Sequence, residues 1–519
     1  MQKGYLLGVD IGTYSSKGVL VNQSGAVVAS HTVPHSIEIP QPGFVEHDAE
    51  KTWWNDFVEI TKNLLKRTGV KPQDVLAIGI SGIGPCVLPV DEDGNPLRPA
   101  ILYGIDTRAT KEIEYLKEIL SEEKIFDVTG THLSSQAIGP KILWIKRNEP
   151  EIYRKTRWFL TSQSYLVYKL TGKAAVDVYS AGGYAPLFNI FTHKWETEIA
   201  KDIIAPLKCL PEVFWSHEVV GGVTSKAAAE TGLSAGTPVI AGTTDAAAEA
   251  ISVGLSKIGD MMLMLGSSVF FIVRTAQIIR TQHFWSSNFV QENSSVLLGG
   301  MSTGGSLTTW FRDQFGQFEL ELEKRNGKNA YEALAELALE SPKGSKGLIV
   351  LPYFAGERTP LHDPEAKGVF FGLTLSHTKA DLYRAVLESI AYGIRHNMEL
   401  IAEEGVRPKR ILMAGGGLKN PLWTQLIADI CKVRLSIPEQ QIGASYGDAL
   451  LAAIAIGLLK GIEDAAEWVK IRGTVEPDQS DSEIYEMKYN LFRELYINTK
   501  TLMGKVHSLQ ERLMRISKQ

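Results

Sequence analysis

Two stretches, "YLLGVDIGTYSSKGVLV" at 5–21 and "GDMMLMLGSSVFFIVRT" at 259–275, follow one plan. Each is an apolar run, a turn of small residues and a second apolar run, which predicts a hairpin. A hairpin that recurs within 519 residues is a weak internal repeat, and it predicts two similar domains facing each other across a cleft. The length allows two large domains or three smaller ones, each able to bury a real core. The copies are not equivalent. Asp10 ends the first strand of the first copy, whereas Gly266, Ser267 and Ser268 form the second turn without an acid.

Between and beyond the repeats, strands alternate with helices. "EKTWWNDFVEITKNLLKRTG" (50–69) reads as an amphipathic helix and "VLAIGISGIG" (75–84) as a buried strand running into a glycine turn. "GTPVIAGTTDAAAEA" (236–250) is a strand, a small-residue turn and a helix start. "ILMAGGGLKNPLWTQLIADIC" (411–431) is a strand, three glycines and a helix, so backbone there can approach a flat ligand closely. This is α/β patterning. The stretch 482–514 reads as one long amphipathic helix or a helix pair, a surface for packing or for a homodimer rather than a site. The expected boundaries are 1–250, 251–475 and a helical extension over 476–519.

A carboxylate at the end of a buried strand is costly unless compensated. Gly12, Thr13, Ser15, Ser16 and Lys17 follow Asp10 and offer N–H groups, hydroxyls and a cation. Such a turn can hold phosphate oxygens, which Asp10 would repel unless a hydrated divalent cation stood between them. The same residues also read as an ordinary hairpin whose aspartate is tied to its own turn.

A net charge of −5 with both signs interspersed offers no basic face for nucleic acid or anionic lipid, so small-molecule chemistry is the default. Cys86, Cys209 and Cys431 form neither a CxxC pair nor an even framework, which predicts a reducing cytoplasm. Asp10 interrupts what would be a signal-peptide core, and the longest apolar run, 449–459, is too short to span a bilayer. His31, His35 and His47 are too widely spaced for a local metal motif and are expected at the surface or in turns.

The most specific segment is "GVFFGLTLSHTKADLYRAVLE" (368–388), where Gly368, Phe370, Gly372, Leu373, Asp381, Leu382, Ala385 and Glu388 fall on a known signature. "PYFAGERTPLHDPEAKG" precedes it. "KILWIKRN" (141–148) keeps the Lys141 and Trp144 spacing of a second signature, although Ile138 stands where a small residue or proline is usual. On these segments the chain resembles the FGGY family of carbohydrate kinases over roughly residues 4–475. The resemblance implies an α/β, actin-like ATPase fold of two ribonuclease-H-like domains, with ATP and Mg²⁺ as cofactors and a small-molecule sugar as substrate. Both signatures themselves read as packing elements that seat a helix on a sheet.

What the resemblance implies for residues is specific. Asp10 corresponds to the carboxylate holding hydrated Mg²⁺, and Gly12, Thr13, Ser15, Ser16 and Lys17 to the first phosphate loop. Gly266 and Ser267 correspond to the second loop, and Gly304, Gly305, Gly415, Gly416 and Asn420 to the adenosine contacts. Asp245 in "AGTTDAAAE" corresponds to the catalytic base; taken alone it also reads as a helix N-cap. Ser81, Gly82, Tyr103, Asp106 and Arg108 fall on the sugar-binding stretch. There Ile83, Gly84 and Pro85 replace the Gln-Met-His usual in xylulokinase-like members, and Asp106 either accepts from sugar hydroxyls or forms a surface salt bridge with Arg108 or Lys111. The expected acceptor is a ketopentose such as D-xylulose, giving the 5-phosphate. Ribulose, gluconate, glycerol or another polyol are the alternatives, and an actin-like or chaperone-like ATPase is the second class.

Overall fold

The computed structural model describes residues 4–199, 203–480 and 482–516. These divide into two compact units. The first takes the chain up to Ile258 together with Arg274–Leu297 and Gln440–Lys470; the second takes Gly259–Val273, Leu298–Glu439 and the chain from Ile471 onward.

In the first unit the main sheet is built of β1 (Tyr5–Ile11), β2 (Ser15–Asn22), β3 (Val27–Pro34), β4 (Val75–Gly82), β5 (Val219–Gly222), β6 (Pro238–Ile240) and β7 (Thr243–Thr244). The sheet runs β5-β6-β4-β1-β2-β3, with β7 also beside β4. β1 pairs antiparallel with β2 and parallel with β4, so that Asp10 lies opposite Lys17 on one side and Ser81 on the other. Strand side chains alternate in direction. Leu7, Val9 and Ile11 therefore enter the core beneath the Asn55–Thr68 helix, with Trp53, Phe57, Ile60 and Leu64, while Gly8 and Asp10 face the other way. A second cluster, around Leu116, Ile138, Ile142, Tyr184 and Phe188, forms the core of the segment that follows β4.

The opposite face of the sheet is covered by the Ala444–Ala455 helix, and the approach is unusually close. A Cβ on Gly8 would lie 1.9 Å from the Ser445 carbonyl oxygen and one on Gly79 2.0 Å from that of Asp448. The Asp245–Ser252 helix lies as near on its other side, since a Cβ on Gly447 would lie 1.9 Å from the Ala248 carbonyl oxygen. This is why residues 440–470 belong with the first unit, although position in the sequence assigned them to the second domain.

The second unit repeats the plan. β8 (Asp260–Leu265), β9 (Val269–Thr275), β10 (Ser295–Met301), β11 (Arg410–Ala414), β12 (Leu435–Pro438) and β13 (Ile471–Val475) run in the order β10-β9-β8-β11-β12-β13. As with β1, β2 and β4, β8 pairs antiparallel with β9 and parallel with β11.

Signature residues Asp381 and Glu388 both lie in the buried Lys379–Glu403 helix. Asp381 takes the Thr378 N–H at 2.8 Å, closing a capping box, and Glu388 accepts from Lys488 at 2.6 Å and Arg384 at 3.0 Å. The stretch expected as a helix or helix pair is a single helix, Ser482–Ile516. It packs Tyr485, Tyr489 and Phe492 into the second unit, so 476–519 is not a separate extension. No helix among the described residues is long and apolar enough to cross a membrane.

Candidate active site

The β1–β2 turn is tighter than the sequence implied. Gly12 N–H donates to the Ser15 carbonyl at 3.0 Å, which leaves Gly12, Thr13 and Tyr14 as the turn, with Ser15, Ser16 and Lys17 already in β2. Ser16 is a correction to the expected phosphate loop. Paired opposite Ile11, it points into the core and donates to Asp56 Oδ2 at 2.6 Å. Lys17 lies on the Asp10 face and gives its ammonium to the Ile442 carbonyl at 2.9 Å. Thr13 Oγ1 lies 3.2 Å from the Tyr103 hydroxyl.

Asp10 is one of four acids gathered on this face. The Ser81 hydroxyl stands 3.0 Å from Asp10 Oδ1 and 2.7 Å from Asp448 Oδ2. A hydroxyl has one hydrogen to give, so one of these carboxyls supplies the other. Burial, reinforced by the charge of Asp10, pushes Asp448 well above the usual carboxylate range, while its contact with Ser81 opposes the shift. Burial raises Asp10 to about 6, opposed by Ser81, Lys17 and His35. Glu249 is pushed up to about 7 by burial and Asp10, against the pull of Lys17 and the Ala444 N–H. Asp245 is raised well above its ordinary value by burial, then by Asp10. It begins the Asp245–Ser252 helix after Thr244, and its Oδ1 accepts the Ala246 N–H at 2.7 Å.

Four acids with raised affinities for protons, three of them raised in part by the charge of Asp10, make a site suited to a proton transfer. Asp10 Oδ2 makes no hydrogen bond to the described residues, and these residues contain no cluster of three or more ligating side chains. That donor set suits Mg²⁺, which keeps several waters and takes one or two carboxylates plus phosphate oxygens.

The sequence-predicted sugar contacts separate into two groups. Tyr103 stays beside Thr13, and the Ile83–Cys86 loop lies against the Asp245 turn, where a Cβ on Gly84 would be 2.8 Å from Thr244 Cγ2. The hydroxyl of Ser81, by contrast, is turned inward to the acids, and Gly82 backs onto Ser162, whose Oγ would lie 2.4 Å from an added Cβ. Asp106 and Arg108 form a buried ion pair, not a surface one. Arg108 Nε and Nη2 donate to the Asp106 carboxylate at 3.0 and 2.7 Å, the Val45 N–H at 2.7 Å, and Arg108 reaches Glu46 at 2.8 Å. A sugar hydroxyl would have to displace one of these partners, so the pair serves to pin the loop after Tyr103 to the 45–46 segment.

In the second unit the predicted nucleotide residues also gather. Gly304 N–H donates to the Ser267 carbonyl at 2.9 Å and Gly305 N–H to that of Gly266 at 2.8 Å. Gly415 has a φ of 90° and lies against β8, where a Cβ would meet the Leu265 carbonyl oxygen at 2.6 Å. An added Cβ on Gly416 would meet nothing within 4 Å. Asn420 caps the Pro421–Cys431 helix through the Trp423 N–H at 3.1 Å. These residues present backbone with few side chains, a surface on which a flat ring can lie.

Sequence reasoning missed Asp448, Glu249, Asp56, His35 and His47. Asp448 did carry a signal, as an acid at the head of an otherwise apolar run. The two histidines are corrections: His47 is fully buried and His35 nearly so, because their partners come from the 48–56 segment, which no local spacing reveals. His31, partly exposed beside Glu59, lies at the surface.

Residues 5–252 match the N-terminal domain of the FGGY family of carbohydrate kinases and residues 261–456 its C-terminal domain. Xylulose kinase of Staphylococcus epidermidis is 32% identical over 510 residues, which is 97% of this chain and 98% of that protein. A gluconokinase of Bacillus licheniformis is 28% identical over 95% of each chain. The crystal structure of xylulose kinase from Rhodospirillum rubrum superimposes with a TM-score of 0.87 at 30% identity, covering 96% of this chain and 99% of that one. The fold is the two-domain, actin-like ATPase type. The chain belongs to the FGGY family of carbohydrate kinases.

Proposed function

We propose that this protein transfers the γ-phosphoryl group of ATP to a hydroxyl of D-xylulose, giving the 5-phosphate. The observation that carries the chemistry is the placement of Asp245 and Asp10 in one group of acids beside the Gly12–Tyr14 turn. In the reaction, Asp245 removes the proton of the sugar hydroxyl as its oxygen bonds to the γ-phosphorus and the bond to the ADP oxygen breaks. A carboxyl with raised proton affinity is suited to that task. Asp10 would hold hydrated Mg²⁺, which supplies positive charge to the phosphates as the transferring group loosens. Thr13 and the turn backbone, with Lys17 behind them, would form the first phosphate loop. Gly266 and Ser267 would form the second, and Gly304, Gly305, Gly415, Gly416 and Asn420 the adenosine seat.

The ketopentose is supported by the xylulose kinases that align over nearly the full length. Gluconate is the second reading, because a gluconokinase aligns over the same span. Three free cysteines suit a cytoplasmic setting, and the exposed residues Leu502, Leu509 and Leu513 of the Ser482–Ile516 helix suit a homodimer contact. The deciding experiment measures ADP release over a panel of acceptors. D-xylulose should stimulate it most. Turnover on gluconate or glycerol in its place would move the assignment to that branch, and no acceptor-stimulated release would favour an ATPase of another role.

A further inference from the structure

His35 holds the β1–β2 turn at both ends. Its backbone N–H donates to the Tyr14 carbonyl at 2.9 Å and its ring Nε2 lies 3.0 Å from the Gly12 carbonyl oxygen. On the other side, Nδ1 is 2.8 Å from Asp56 Oδ2, which also accepts from Ser16 Oγ at 2.6 Å. The side chains of His35 and Asp56 are each only 8% exposed. A carbonyl oxygen can only accept, so Nε2 carries a hydrogen, and Nδ1 faces a carboxylate oxygen that already accepts from Ser16.

We infer that His35, as an imidazolium paired with Asp56, is the positioning residue of the first phosphate turn. The inference rests on the reading that this turn holds ATP phosphates. In a trans peptide the carbonyl and the following N–H point in opposite directions, so a Gly12 carbonyl drawn to His35 turns the Thr13 N–H away from it, as a donor to an anion. The ring charge acts in the same sense, since a fixed cation behind the turn favours phosphate in front of it. Facing the ring are Asp56, the edge of His47 at a centroid distance of 5.1 Å, and the charge of Asp10. His47, lowered to about 4 by burial and then by His35, stays neutral beside this cation.

Two measurements test this. In the wild-type protein at pH 7, with His35→Gln assigning the resonance, the ring ¹⁵N shifts should show both nitrogens protonated. A bare nitrogen, whether from a neutral ring or from a proton residing on Asp56, overturns the inference. In kinetics, His35→Gln and Asp56→Asn should each raise KM for MgATP about tenfold, the scale of one lost charge-assisted hydrogen bond, with KM for the sugar nearly unchanged. Equal changes in both constants, or a lower melting temperature with neither constant altered, would reduce His35 to a structural part. Failure of the wild type to turn over any sugar would count against the kinase reading instead, and the ring resonances would still decide the state of His35.

Discussion

At the scale of single residues, the acid cluster sets activity against stability. Asp245→Asn keeps volume and removes the base, so kcat should fall by about 10² to 10⁴ with little change in KM for either substrate. If the Ala246 contact were its only role, the variant, whose amide oxygen still accepts that N–H, would keep both its melting temperature and its kcat. Asp10→Asn should all but abolish Mg²⁺-dependent turnover while raising the melting temperature at pH 8, where an ionised Asp10 opposes the charge of Glu249 beside it. Glu249 gives a pH signature. Its affinity for protons is higher folded, about 7, than its ordinary value of 4.5, so between those values the folded state binds more protons and stability falls as pH rises. Glu249→Gln should flatten that part of the decline in melting temperature from pH 4.5 to 7 in the ligand-free protein; an unchanged slope would place the titration elsewhere.

Elements show which parts of the structure were readable in one dimension. Both hairpins, the strand at 75–82 and the strand-glycine-helix unit at 410–431 follow from apolar runs and small-residue turns, because their defining contacts are local. The acid cluster was half legible. Asp10 and Asp245 stand out as carboxylates at strand ends, whereas Asp448 and Glu249 acquire meaning only when the Ala444–Ala455 helix lies on β1 and β4, hundreds of residues from it in sequence. The Asp106–Arg108 pair was read as exposed for the same reason, since Val45 and Glu46 reach it from a distant segment. The close helix contact makes its own prediction. Gly79→Ala would force a methyl to within 2.0 Å of the Asp448 carbonyl oxygen, and such overpacking costs about 1–3 kcal/mol or more. Because the displaced residue is Asp448, the variant should also lose activity. Wild-type melting and turnover in Gly79→Ala would show that the helix can shift without consequence.

For the molecule as a whole, the order of the chain and the order of folding units differ. The family's N-terminal model stops at residue 252, yet the compact unit built on β1 and β4 includes Arg274–Leu297 and Gln440–Lys470. Without the latter, Gly8 and Gly79 would face water across a bare stretch of backbone, and the buried residues Ala449, Leu450, Ala452 and Ala453 would lose the sheet they cover. An uncovered apolar sheet face cannot offset the chain entropy of ordering it. A fragment ending at residue 258 should therefore melt without a cooperative transition and bind a hydrophobic dye. Joining 274–297 and 440–470 to it through flexible linkers should restore a single sharp transition. A cooperative melt of the short fragment alone would mean that the sheet and the Asn55–Thr68 helix suffice, and the 440–470 segment would then be an addition made for the active site, where Asp448 and the Ile442 carbonyl stand, and not for the fold.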